Sequence, residues 1–240
     1  VSVHESPETA IHRSNIKNCS LAAIITHSSD STRYKKLLAS NNTYGVVVLS
    51  SDNISIHNSA MINNTLCGLY IDGVSGTRLH QLVLNGNGDY GLALISSHGL
   101  DAYNLDLSNN SGGIFVGDSR EMSIRNIEMC AAGRAIDIVR SSDVGIYKAS
   151  ISGDERHYSV PGVSIFYSEN ITLSNFDIYD NPIFIYDYDL NRLLSVRFER
   201  VLLDGRPVVV LKNEEQLHVS GFSEAIIINS SDIVVAEDEY

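Results

Sequence analysis

Aliphatic residues recur in pairs two positions apart along most of this chain. In the stretch from Gly91 to Asn110 the pairs are Leu92/Leu94, Leu100/Ala102 and Leu105/Leu107. A spacing of two puts both members on one face of a β-strand. Three strands this close in sequence leave no room for ordinary hairpins. They fit one turn of a coil, which buries its apolar face only when like turns stack above and below.

Such turns are present. A small residue opens each one, at Ala23, Gly45, Gly68, Gly91, Gly113, Ala135, Gly162, Pro182, Pro207 and Ala225. One and three positions later come aliphatic pairs, from Ile24/Thr26 and Val46/Val48 to Val208/Val210 and Ile226/Ile228, with Thr26 the exception. A second strand begins nine positions after the opener, as in Ile54/Ile56, Leu100/Ala102 and Val144/Ile146. A third begins fourteen after it, as in Leu82/Leu84, Leu105/Leu107 and Phe176/Ile178. The position between them reads Asn58, Gln81, Asn104, Asn126, Lys148 and Asn175. The pattern predicts an all-β parallel solenoid of about ten rungs, each of roughly 22 residues.

These repeats resemble the right-handed parallel β-helix proteins of the NosD-like and CASH families, within the pectate-lyase-like superfamily. The resemblance covers roughly residues 15–235 and implies a single-stranded, right-handed parallel β-helix. Asn58, Asn104, Asn126 and Asn175 resemble the internal asparagine ladder of pectate-lyase-type helices, interrupted here at Gln81 and Lys148. In such a ladder, stacked amides satisfy the backbone groups of a buried turn. The fold hosts lyases, hydrolases, epimerases, adhesins and fibre subunits, so the resemblance implies architecture more than activity. It also implies a location outside the cytoplasm, extracellular or at the cell surface.

The ends and two insertions depart from the repeat. Residues 1–14 do not fit a rung and are expected as an N-terminal cap or linker, leaving 15–240 as the β-helix domain. The chain opens on Val with no recognisable signal peptide, which suggests a mature or excised fragment. Ser152–Pro161 lengthens one third turn, and Asp187–Arg192 is inserted into a first turn.

Charge narrows the partners. A net charge of −12 argues against nucleic acid or an anionic membrane, and no apolar run is long enough to span a bilayer. Cys19, Cys67 and Cys130 lie on distant rungs with no disulfide or zinc spacing. Glycosylation sequons occur at Asn18, Asn41, Asn53, Asn63, Asn109, Asn170 and Asn229, mostly where turns are expected.

The outward positions of the first strands are unusually apolar. Ile25, Val47, Leu49, Tyr70, Ile95, Phe115, Val139, Val209 and Leu211 are expected to form a packing interface for another copy or a flanking domain. The two insertions flank this face. They predict a carbohydrate-binding groove with Phe166, Phe184 and Tyr186 as floor and Asp154, Arg156, His157, Tyr158, Asp187 and Asp189 on its walls. Aromatic faces stack on sugar rings, and polar rims bond their hydroxyls.

Other constellations are weaker. Asp187-x-Asp189-x-Asn191 opens like a calcium loop but lacks its later Gly and Glu, so calcium is at most a minor expectation and no cofactor is predicted. An outward row on the second sheet, His57, His80, Tyr103, Arg125 and Tyr147, contains a base-and-arginine set of the kind lyases on this fold use, with Arg78 expected to pair with Asp101. Asp106 with Glu128, and Asp118 with Asp137, are carboxylate pairs on neighbouring rungs. None comes with a walled cleft, and no residue is assigned a catalytic role. The sequence therefore predicts a structural or adhesive surface module that self-assembles or packs through its apolar face. The alternative is a polysaccharide-binding or polysaccharide-cleaving protein of lyase, hydrolase or epimerase type.

Overall fold

The computed structural model describes residues 1–130, 134–153 and 161–236. It is a parallel β-solenoid of nine coils. The first strands of the coils make one nine-stranded parallel sheet, running from Ser2–His4 through Tyr90–Ile95 to Ile183–Tyr186. The second and third strands share a second sheet. In the middle of the rod they fuse into single bent strands such as His98–Asp106, Arg120–Cys130 and Glu169–Tyr179. Pairing is in register throughout: Leu69, Leu92, Ile114, Ile136, Val163 and Ile183 stand in one column. The aliphatic pairs of the coils up to Ile183 turn inward and form one continuous core along the rod.

The corner between the second and third strands is a single left-handed residue. Arg13, Lys36, Asn58, Gln81, Asn104, Asn126, Lys148, Asn175 and Arg200 all have φ between +49° and +59°, and all are exposed. This corrects the expected internal ladder. The residue bends the strand outward-facing, and Asn is frequent there because it tolerates this conformation best among non-glycine residues. Gln81 and Lys148 are therefore not interruptions.

The internal ladder runs elsewhere. Asn42, Asn64, Asn87 and Asn110 are buried, and each amide nitrogen donates to the next residue's Oδ1, at 3.1, 3.0 and 3.0 Å. The same Oδ1 atoms accept the backbone N–H of the preceding coil, as in Asn64 N to Asn87 Oδ1 at 3.0 Å. A serine ladder lines the opposite turn. Ser97 N donates to Ser119 Oγ, Ser119 N to Ser141 Oγ, and Ser141 N to Ser168 Oγ, at 3.0–3.2 Å. Both ladders satisfy backbone groups that a parallel coil must otherwise bury unpaired.

Both ends differ from expectation. Residues 2–17 are a coil in register with the next: Ser2–His4 pairs with Ala22–His27, Ala10–His12 with Arg33–Lys35, and Asn15–Lys17 with Leu38–Ser40. The cap expected over residues 1–14 is thus the first coil. At the other end the repeat stops at coil nine rather than ten. Asp204 and Gly205, at φ +52° and +76°, turn the chain back so that Arg206–Lys212 runs antiparallel to Arg197–Leu203, as Asp-Gly favours. Val209 and Leu211 therefore lie off the first sheet, and Leu211 is buried. Glu224 reaches back to this edge, its carboxylate accepting from Ile183 N at 3.0 Å.

Candidate functional site

In-register coils about 4.8 Å apart bring like positions into contact along the rod. On the first sheet this brings aromatic rings close together at coils eight and nine, in tilted and edge-on contacts. Phe166 and Phe184 have ring centroids 5.6 Å apart. Tyr186 lies 5.7 Å from Tyr167 and 5.2 Å from Tyr188. These rings remain in solvent, with Phe184 45%, Tyr186 37% and Tyr188 82% exposed. A hydrogen bond with Tyr188 helps push the Tyr186 phenol up to about 12, so it stays protonated.

The inserted segment positions Tyr188. The Asp187 carboxylate accepts from Asp189 N at 2.9 Å. The Asp189 carboxylate caps the helix Leu190–Ser195, accepting from Asn191 N at 2.8 Å. The calcium-like spacing thus makes a turn and a helix cap. Arg192 lies 3.7 Å from the buried Asp187 Oδ2, too long for a hydrogen bond. Beside the rings is a cavity of about 560 Å3 bordered by Asp118, Arg120, Arg140, Tyr167, Glu169 and Arg192. Arg140 grips Asp118 through two 2.7 Å hydrogen bonds, which hold that carboxyl below its usual range. The structure thus gathers Phe166, Phe184, Tyr186, Asp187 and Asp189 in one region. Asp154, Arg156, His157 and Tyr158 lie outside the described residues.

Toward the middle of the rod the apolar face covers itself. Ile25, Val47, Leu49, Tyr70, Ile95, Phe115 and Val139 are all half-buried. Cys67, Tyr90 and Ala93 are buried on the outside of the sheet among Tyr44, Tyr70 and Phe115. The Tyr90 hydroxyl donates to Asp137 Oδ2 at 2.5 Å. Burial and this carboxylate push the Tyr90 phenol well above its ordinary value, the reverse of what a general base needs. The pairing of Tyr90 with Asp137 escapes sequence inspection. Its only trace is an aromatic residue immediately before an opening glycine, at Tyr44 and Tyr90.

Several of the remaining candidates have structural partners. Arg125, not Arg78, pairs with Asp101. His80 stacks on Tyr103 with centroids 4.0 Å apart. Asp106 accepts from Asn85 Nδ2 and the Ser108 hydroxyl, both at 2.8 Å. The seven sequon asparagines are all exposed and all at positive φ, so turn geometry alone accounts for Asn there.

Residues 1–148 match the NosD family, described as periplasmic copper-binding proteins. The chain belongs to this family. The aromatic group at coils eight and nine lies beyond the matched span. No curated protein matches the chain. Among solved structures, the A-module of the Azotobacter vinelandii mannuronan C-5 epimerase AlgE6 superposes with a TM-score of 0.58 at 15% identity, over 93% of this chain and 65% of that one. The chain thus spans just under two thirds of that module. Tailspike protein 2 of Escherichia coli O157:H7 bacteriophage CAB120 gives a TM-score of 0.48 at 14% identity, over 95% of this chain and 39% of that one. The likeness to the epimerase module concerns the fold alone. As to copper, among the described residues no three His, Cys, Asp or Glu side chains converge as ligands. The exposed pair His4 and His27, with Nδ1 atoms 3.1 Å apart, is two donors only. The described residues do not fit a copper centre. No helix among them is long and apolar enough to cross a membrane.

Proposed function

We propose that this NosD-family β-helix is a polysaccharide-binding protein acting outside the cytoplasm, with the aromatic group at coils eight and nine as its anchor. The observation that carries the reading is a pair of ring clusters, Phe166 with Phe184 and Tyr186 with Tyr167 and Tyr188, in which Phe184, Tyr186 and Tyr188 are exposed beside an Arg- and Asp-bordered cavity. Exposed rings offer flat apolar faces to sugar C–H groups, and the charged border offers bonds to hydroxyls. Binding rather than cleavage is assigned. The Tyr90–Asp137 pair keeps the tyrosine protonated, and Asp106 and Asp118 are held by neighbours.

Affinity electrophoresis against neutral and acidic polysaccharides tests this. Wild type is retarded by at least one of them, and the F184A/Y186A variant loses the retardation by about tenfold in affinity, a loss of roughly 1.4 kcal/mol. Unchanged retardation in a folded variant overturns the assignment.

A second reading is self-association through the apolar face. It is favoured by the continuous half-buried column Ile25, Val47, Tyr70, which runs on to Phe115. Light scattering of wild type and Val47→Asp checks it. A wild-type monomer ends that reading.

A further inference from the structure

On the second sheet, in-register pairing builds two outward columns. One runs His12, Lys35, His57, His80, Tyr103. The other runs Ala10, Arg33, Ser55, Arg78, Asp101. In a chain with 29 acidic and 17 basic residues, these ten positions hold three permanent cations, three histidines and one acid. That acid, Asp101, is already bonded to Arg125. Arg33, Lys35 and Arg78 have no carboxylate partner among the described residues. The columns border a groove of about 700 Å3, where Gly76 and Gly99 contribute no side chain. Thr77, 2% exposed, also borders it, and its hydroxyl has no hydrogen-bond partner.

We propose that this second-sheet groove binds an anionic polysaccharide, one carrying carboxylate or sulfate groups along its length. Three permanent cations against one acid, itself already bonded to Arg125, favour an anionic occupant. The net charge of −12 is spread along the rod, and beyond about 8 Å salt screens it while the groove's own charges act at contact. The permanent cations stand on the second coil (Arg33, Lys35) and the fourth (Arg78), about 10 Å apart, with histidines on the first, third and fourth, which suits an extended chain rather than a single small ion. His80 and Tyr103, stacked on each other with centroids 4.0 Å apart, continue the column beyond the groove's lining. A nucleic acid is disfavoured, since domains that bind it are basic overall. The site is separate from the aromatic group at coils eight and nine.

The groups around His57 supply an independent readout. Burial first, then His80, Lys35 and Arg78, hold its imidazole below the ordinary value. Arg33 on the neighbouring coil and Ser55, which shares a hydrogen bond with the ring, complete its surroundings. The one acid on the face, Asp101, lies two coils away. An anion laid across these cations offsets their repulsion and raises the His57 value.

The test uses the whole chain in affinity electrophoresis with polygalacturonate, dextran sulfate, neutral dextran, inorganic phosphate as competitor and a single-stranded oligonucleotide, at low and high salt. A polyanionic polysaccharide retards the protein, neutral dextran does so less, and salt weakens the effect. R33E/R78E reduces the affinity for the polyanions by at least about tenfold and leaves any retardation by neutral polysaccharide as in wild type, which separates this site from the aromatic one. NMR titration shows the His57 value moving up when polygalacturonate is added. Any of these outcomes overturns the proposal: no retardation of wild type by either polyanion, full retardation of folded R33E/R78E, or tighter binding of the oligonucleotide. Competition by phosphate at low concentration would assign the groove to a small oxyanion instead, which also overturns it. If R33E/R78E fails to fold, Arg33→Gln and Lys35→Gln singly carry the same expectation at smaller size.

Discussion

The Tyr90 hydroxyl donates to Asp137 across 47 residues of chain and two coils of the rod. The ring reaches that far because it lies flat over Gly112, where a Cβ would stand 2.5 Å from two ring carbons. The Arg134 guanidinium sits 5.5 Å above the same ring, and its Nε lies 3.8 Å from the same carboxylate. A backbone column thus becomes a buried polar cluster on the outside of a sheet. Tyr90→Phe leaves the Asp137 carboxylate buried without its donor and costs about 1–3 kcal/mol. Gly112→Ala displaces the ring and costs a similar amount, about 1–3 kcal/mol. Urea unfolding measures both. In Y90F/D137N the loss is smaller than the sum of the singles, because the partners act as a pair. Additive losses would contradict this account.

The two kinds of asparagine respond differently. Asn87 accepts from Asn64 N and Nδ2 and donates to Met61 O at 3.1 Å. Asn87→Ala strands several buried groups at about 1–3 kcal/mol each. Asn104 is an exposed left-handed corner at φ +59°. Asn104→Gly is neutral or stabilising, and Asn104→Val costs roughly 1–2 kcal/mol. Equal effects at positions 87 and 104 would show that the ladder is misplaced.

Glu224 gives a pH dependence. Its carboxylate is raised by burial, partly offset by the bond from Ile183 N. A raised folded value means that the native state binds the extra proton more readily. This contribution is fully present below the ordinary carboxylate value and is lost as pH rises through the raised one. Glu224→Gln keeps an acceptor for Ile183 and removes the charge. The difference in melting temperature between variant and wild type therefore grows in the variant's favour from pH 4 toward neutrality. A constant difference would refute it.

The chain reversal at Asp204-Gly205 depends on backbone geometry alone, since a Cβ at Gly205 would meet nothing within 4 Å. Gly205→Val therefore costs about 1–2 kcal/mol through its φ of +76°. It loosens the segment from residue 206 onward, and limited proteolysis detects this as earlier cleavage there.

Most of the coil was legible because burial in a solenoid is local and periodic. Leu92 and Leu94 point inward for the same reason as Ile114 and Val116, and the register follows from the repeat. Asn42, Asn64, Asn87 and Asn110 recur nineteen positions after their openers, and Ser97, Ser119 and Ser141 six after theirs. That signal was available, but a more conspicuous asparagine column hid it. The exposed corner selects Asn for backbone conformation, and composition cannot distinguish this from an amide needed for hydrogen bonding.

Repeat spacing is enough to reveal the parallel solenoid, its inward columns and the apolar character of the first-sheet face, because each depends on residues a fixed distance apart. Tertiary structure alone decided which long side chains meet. Tyr90 finds Asp137 two coils away, Arg125 takes Asp101 from Arg78, and Glu224 closes an edge at Ile183. Those contacts depend on ring and chain directions above the sheet. They also depend on the hairpin that ends the repeat, where one left-handed glycine replaces the periodicity.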